Sequence, residues 1–263
     1  MIRRRLSSAV LALAAPAAIT AQEPDDAPRT PIPAVTPADR VAAEPPEGGD
    51  GAHDGTLHGF LLVDQLEWRR ARAEDELAWK VEGWAGSDLN RLWLRAEGEH
   101  TSSDTESAVI EVFYGRSVTP WWDLLVGLRH DAAPGPSRNF AAIGLQGLAP
   151  QWFETSLTAY VREGGHAGLQ LEVEYELLLT NRLILQPLLE VALWSRDDPE
   201  RNIGSGLGRA EGGLRLRYEI TRRFAPYIGV SHARAFGDTA DLWRADSGHR
   251  HATSITAGLR FWF

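Results

Sequence analysis

The stretch LQLEVEYEL, Leu169 to Leu177, puts Leu169, Leu171, Val173, Tyr175 and Leu177 at every second position, with Gln170, Glu172, Glu174 and Glu176 between them. Side chains of a β-strand alternate between two faces, so a period of two marks a strand. One face here is wholly apolar and the other carries three carboxylates. The pattern recurs from Leu57 to the end of the chain. Phe153, Thr155, Leu157, Ala159 and Val161 alternate with Glu154, Ser156, Thr158 and Tyr160. Leu214, Leu216, Tyr218 and Ile220 alternate with Arg215, Arg217 and Glu219, and the chain closes on Ile255, Ala257, Leu259, Phe261 and Phe263 around Thr256, Gly258, Arg260 and Trp262. No stretch after Leu57 sustains a helical period, so no helix is expected there.

A soluble sandwich would also alternate, burying its apolar faces. Three features favour a barrel in a membrane. The strands approach the roughly 9 to 11 residues that cross a bilayer when tilted. Aromatic residues gather near strand ends, as in Trp121-Trp122, Trp152-Phe153 and Phe261-Trp262-Phe263, where interfacial girdles lie. Connections also alternate. Those at 86–90, 117–120, 148–151, 180–182 and 221–226 are short, whereas 72–76, 100–107, 131–138, 162–166, 195–209 and 237–251 are mostly longer and polar. The expected fold is an all-β, antiparallel, up-and-down transmembrane β-barrel of about twelve strands, spanning 57–263, with both termini on the short-turn, periplasmic side.

Composition agrees once half of every strand is allowed to face lipid. The 263 residues are 43% hydrophobic with 10 Trp, one Met and no Cys, and the mean hydropathy is -0.26. A bundle of membrane helices needs about 20 consecutive apolar residues per span, which this chain cannot supply several times. A closed barrel pairs its backbone in lipid without such runs. The absence of cysteine excludes disulfides, thiol nucleophiles and thiolate metal sites. A formal charge of -9 argues against nucleic acid as a partner.

Residues 1–21 read as a secretory signal peptide: Arg3, Arg4 and Arg5 precede the apolar stretch Ala9 to Ala18, with cleavage expected before Gln22. Residues 22–56 are rich in Pro, Ala, Asp, Glu and Gly, with too little apolar area to offset ordering entropy, and are expected to form a disordered periplasmic arm.

The polar strand faces predict a charged lumen containing Lys80, Glu82, Arg95, Glu97, Arg129, Glu190, Arg217 and Arg260 among others. Interlocked charges fill small barrels structurally, and the ladder Glu172, Glu174 and Glu176 is the candidate for binding or conducting cations. A general or ion-selective porin is therefore an alternative reading. His249 and His251, two apart in SGHRHA, are candidate metal ligands, as are His53, His58 and His100. Imidazole suits Cu(II), carboxylates suit hard cations, and Cu(I) would prefer Met or Cys. DQLEW, with Asp64, can be read with either face inward. Pro187 removes a ladder donor and suggests a bulge or local widening. No catalytic residue is expected: Ser231 and His232 are adjacent on a strand and so point to opposite faces, and no third member accompanies them.

Several segments resemble the copper-resistance protein B (CopB) family of Gram-negative outer membranes. They are LLVDQLEW (61–68), AWKVEGWAGSDLNRLWLRAEGE (78–99), AVIEVFYGRSVTPWWDLLVGLRHD (108–131), AYVREGGHAGLQLEVEYELLLTNRLILQP (159–187), GLGRAEGGLRLRYEI (206–220) and FAPYIGVSHARAFGDTADLWR (224–244). The resemblance implies a non-enzymatic outer-membrane protein of copper resistance, embedded in lipid, with copper ion as ligand. It also implies a periplasmic copper-handling partner such as a multicopper oxidase. Members of that family often carry a Met- and His-rich N-terminal region. Here the arm has no Met after Met1 and one histidine, His53, so the loops and lumen are left to supply ligands.

Overall fold

The alternating segments become thirteen antiparallel strands: β1 (His58–Arg70), β2 (Asp75–Gly86), β3 (Asn90–Thr101), β4 (Thr105–Thr119), β5 (Trp122–Ala133), β6 (Arg138–Ala149), β7 (Phe153–Arg162), β8 (His166–Glu174), β9 (Leu177–Leu178), β10 (Leu183–Trp194), β11 (Gly206–Tyr218), β12 (Phe224–Ala235) and β13 (His251–Trp262). In this computed structural model residues 34–43, 56–70, 75–101 and 105–263 are described. Residues 1–21 and His53 lie outside them. Apart from β8 and β9, each strand pairs with its chain neighbour, and β13 pairs with β1, so the sheet closes. β8 and β9 both pair with β10 in one register, Glu174 opposite Leu188 and Leu177 opposite Leu185, and form a single stave. The barrel therefore has twelve staves.

The break between β8 and β9 corrects the expectation at Pro187. No bulge or widening occurs there, because the register is the same on both sides. Tyr175 N–H donates to the Pro187 carbonyl at 3.1 Å, and Pro187 has no N–H to return the bond. The ladder loses a rung and keeps its alignment.

A true bulge lies in β1, where the register shifts between Val63 and Leu66 against β13 and between Val63 and Gln65 against β2. Asp64 and Gln65 are consecutive and both buried. The extra residue moves the inward face from even to odd positions, so Leu62 and Asp64 face the lumen before it and Gln65, Glu67 and Arg69 after it. Both ways of reading DQLEW hold, one on each side of the bulge.

Outward positions carry the apolar residues. Ile110, Val112, Val126, Leu128, Ile143, Leu214, Ile228 and Ile255 are all exposed, as a lipid-facing belt requires. Inside, Phe113, Leu125, Phe140, Ala142 and Tyr160 form an apolar wall against which Trp93 and Trp194 pack. Aromatic contacts ring the short-turn end: Trp121 with Trp152 at 5.7 Å, Phe153 with Tyr175 at 5.0 Å and Phe60 with Trp262 at 5.9 Å between centroids. Trp262 also donates through Nε1 to the Arg222 carbonyl at 2.8 Å, satisfying its polar edge at an interface.

Loop asymmetry is more concentrated than the sequence suggests. Strands run on into most of the segments expected to be loops, because their polar residues continue the backbone ladder. Only 195–205 and 236–250 remain long. The second contains an α-helix, Gly237–Ser247, where none was expected. It is weakly amphipathic, which hides it from periodicity. Arg244 pairs with Asp241 one turn away, left-handed Gly248 caps its C-terminus by donating to the Arg244 carbonyl at 3.0 Å, and Thr239 and Ala240 are its buried side. Of the arm, 34–43 is described and holds a short helix, Pro37–Ala42, with a Thr36–Asp39 capping box and no buried side chain.

Candidate functional site: a charged lumen and an imidazole row

Inward-facing polar residues leave two cavities inside the barrel. One, of about 520 Å³, reaches the short-turn end at Arg91, Trp121 and Leu148. The other, of about 390 Å³, reaches the loop end at Pro134, Arg201, Thr239 and Trp243. Both are walled by charges that the strands hold in pairs. Near the closure of the sheet, Arg260 Nε donates to Asp64 Oδ1 at 2.8 Å, Arg69 Nε to Glu67 Oε1 at 2.5 Å, and Arg69 Nη1 to Glu99 Oε1 at 2.7 Å. On the opposite wall Tyr160 donates to Glu111 at 2.7 Å and Arg129 to Asp131 at 2.6 Å. Such pairing is what lets charges stay buried, since an unpartnered one costs several kcal/mol.

The expected ladder Glu172, Glu174 and Glu176 faces inward, and each member has its own partner. Glu172 pairs with Lys80, Glu174 accepts from Gln186 Nε2 at 2.7 Å, and Glu176 accepts from Arg217 Nη2 at 2.5 Å. Glu174 Oε1 is buried with no hydrogen-bond partner. The three carboxylates are thus tied to three different groups. They do not converge on one point.

The two long loops roof the loop end. Arg201 donates to the carbonyls of Ala133 at 3.0 Å and Pro136 at 2.8 Å and faces the Asp131 carboxylate at 3.6 Å. Burial lowers its guanidinium from the ordinary value against the opposing pull of Asp131 and Asp198. Buried Thr239, in the helix of the other loop, accepts from Gly204 N–H at 2.8 Å and so joins the two loops.

The candidate histidines separate. His249 and His251 come together at the loop end, their rings 6.3 Å apart. His232 on β12 joins them, 5.9 Å from His251, making a row of three imidazoles. On β12 the even positions Ile228, Val230 and His232 are exposed, whereas Tyr227, Ala233 and Ala235 are buried, so the row lies on the outer surface at the rim. His232 Nδ1 contacts Thr253 Oγ1 at 2.8 Å. His100 stands at the loop end of β3 beside Thr105 at 3.3 Å, three staves from β13. His58 is exposed at the short-turn end of β1. Among the described residues no three His, Cys, Asp or Glu side chains converge to hold a metal ion as they stand.

His232 was missed as a ligand because residue type alone suggested pairing it with Ser231. The structure separates those two as the alternation requires: Ser231 bonds Ser254 at 2.8 Å and His232 bonds Thr253 on the other face. The β12–β13 register, Arg234 opposite His251, is what brings His232 close. Reading it in advance requires knowing where the intervening helix ends.

The model of the family described as Copper resistance protein B precursor (CopB) matches residues 57–263, the whole barrel. Copper resistance protein B of Escherichia coli is 48% identical over 235 residues, covering 89% of this chain and 79% of that protein. A copper resistance protein B homolog of Pseudomonas syringae pv. tomato is 45% identical over 235 residues, 89% of this chain and 80% of that protein. Among solved structures the NanC porin shares the fold, with a TM-score of 0.53 at 14% identity over 76% of this chain and 98% of that one.

Proposed function

Since the chain belongs to the copper resistance protein B family, we propose that it is a non-catalytic outer-membrane protein that captures copper ions on the imidazoles of its loop end. The observation that carries this reading is the row His232–His251–His249, with ring separations of 5.9 and 6.3 Å. Imidazole is a preferred donor for Cu(II). The Thr253 contact at His232 Nδ1 holds that ring and leaves Nε2 for a ligand, the usual division of labour in a metal-binding histidine. Neighbouring rings at this spacing offer two nitrogens to one ion, with water completing the coordination. With no Met after Met1, soft Cu(I) has no matching donor, so Cu(II) is the cargo.

His53, His58 and His100 are single donors in this scheme, and Glu172, Glu174 and Glu176 shape the potential of the lumen. Lipid surrounds the exposed apolar belt. A periplasmic multicopper oxidase would meet the barrel at its short-turn end.

The test is a Cu(II) titration of the purified full chain followed by electron paramagnetic resonance. Nitrogen hyperfine structure is expected in the wild type, is lost in a His249→Ala/His251→Ala variant, is weakened in His232→Ala and is unchanged in His58→Ala. A wild type that retains no copper, or a double variant that retains it unchanged, overturns the proposal.

A further inference from the structure

Lys80 lies on β2 and Glu172 on β8, six staves apart in a ring of twelve, yet their side chains form an ion pair. The contact therefore crosses the full width of the lumen. It also sits where the two cavities meet, because Lys80, Glu97, Val109 and Gln170 line both of them. Glu172 contacts the ammonium, and Glu190, Glu174 and Glu97 act on it from further off, while Arg95 and Arg129 line the cavities to either side. Both side chains of the pair are largely shielded, 15% and 23% exposed, so solvent screens the interaction only in part.

We propose that Lys80 is a tethered cation closing the waist of a cation path, so that the barrel carries a gated permeation function in addition to ion capture at the rim. The lysine ammonium occupies the place beside Glu172 that a passing hydrated cation would take, with Glu97 and Glu190 also lining the waist. When its side chain swings away, the 520 and 390 Å³ cavities become one lumen whose junction is lined by the carboxylates Glu172, Glu97 and Glu190. Rings of carboxylates select cations. With Lys80 in place, its positive charge and its bulk block that same junction. The inference does not depend on copper binding at the histidines, and its readout uses a different ion.

Single-channel recording of the full chain in planar bilayers, with potassium chloride as the probe, tests the gate. Wild type is expected to show rare, small openings. In Lys80→Ala the conductance rises at least about tenfold, the change produced by lowering a barrier by about 1.4 kcal/mol, and potassium is favoured over chloride. Lys80→Met, which keeps most of the length and loses the charge, opens less than Lys80→Ala and is also cation-selective. Heat-shifted migration on gels confirms that each variant is a folded barrel. Glu172→Gln, which releases the strut from its other end, is the second handle should Lys80→Ala not assemble, and it too raises conductance. The proposal is overturned by wild type conducting as freely as Lys80→Ala, by folded Lys80→Ala or Glu172→Gln staying closed, or by an opened lumen that prefers chloride.

Discussion

The Tyr227 hydroxyl donates to Glu67 Oε2 at 2.8 Å across 160 residues of chain, reaching from β12 over β13 to β1. It passes above Gly258, where an added Cβ would lie 2.5 Å from Tyr227 Cζ and 2.8 Å from Glu67 Cβ. The phenol, the carboxylate and the absent side chain together fasten the sheet where its last strand meets its first. Glu67 is 1% exposed, and its carboxylate accepts from Tyr227 and Arg69 and faces Arg215 Nε at 3.6 Å.

Tyr227→Phe should therefore destabilise the barrel by about 1–3 kcal/mol, the cost of leaving a buried acceptor short of a donor. Gly258→Val should cost more, because the ring it displaces is held at both ends. Urea midpoints of the purified protein in detergent, compared with wild type, read both effects.

Deleting Gln65 removes the bulge in β1. Regular alternation then keeps Leu62, Asp64, Glu67 and Arg69 inward and Val63, Leu66 and Trp68 outward, in the register that both halves of β1 already have. The deletion variant should therefore give the folded, heat-shifted band, whereas inserting one residue after Gln65 turns Glu67 and Arg69 to the lipid, at a cost of up to about 2–4 kcal/mol for the arginine, and should fail to give it.

Arg201→Ala should leave the barrel intact and loosen its roof, since one guanidinium binds two backbone carbonyls of the β5–β6 connection and faces the Asp131 carboxylate. Proteinase K should cut within 195–205 sooner in the variant, while the circular dichroism of the sheet stays the same. Thr239→Val, which takes the acceptor from Gly204 N–H, should act in the same direction.

Copper held by imidazole must leave on acidification, because a protonated ring has no lone pair to donate and protons compete directly with the ion. Binding at the loop end should strengthen as pH rises and weaken as it falls. Retained metal measured after equilibrium dialysis checks the sign. Copper retained unchanged at the acidic end would point to carboxylate ligands.

Much of the architecture was legible in the alternation. The apolar positions Leu169, Leu171 and Val173 fall outside the barrel and Glu172 inside, because a strand's two faces are set by parity alone. Parity fails where a residue is inserted, and for that reason Asp64, Gln65, Glu67 and Arg69 escaped placement. The helix at 237–247 escaped because, beside a cap and one ion pair, its buried side is the small pair Thr239 and Ala240, which leaves little hydrophobic period. The histidines were legible as residue types. Their grouping depends on hairpin register, a tertiary quantity, so His249 and His251 were found together while His232 was not. The lumen was expected to be charged, and it is. Which carboxylate meets which cation could not be read, since partners such as Lys80 and Glu172 come from opposite walls.

Both long connections, 195–205 and 236–250, rise from neighbouring staves between β10 and β13. Among the described residues the loop-end connections between β5 and β8, 134–137 and 163–165, are each only a few residues long. Among the described residues the loop end is thus lopsided: one sector carries both long connections, with His249, Arg201 and Thr239 on them. Whatever enters from above on that side meets two loops that Thr239 and Gly204 join to each other before it meets the lumen.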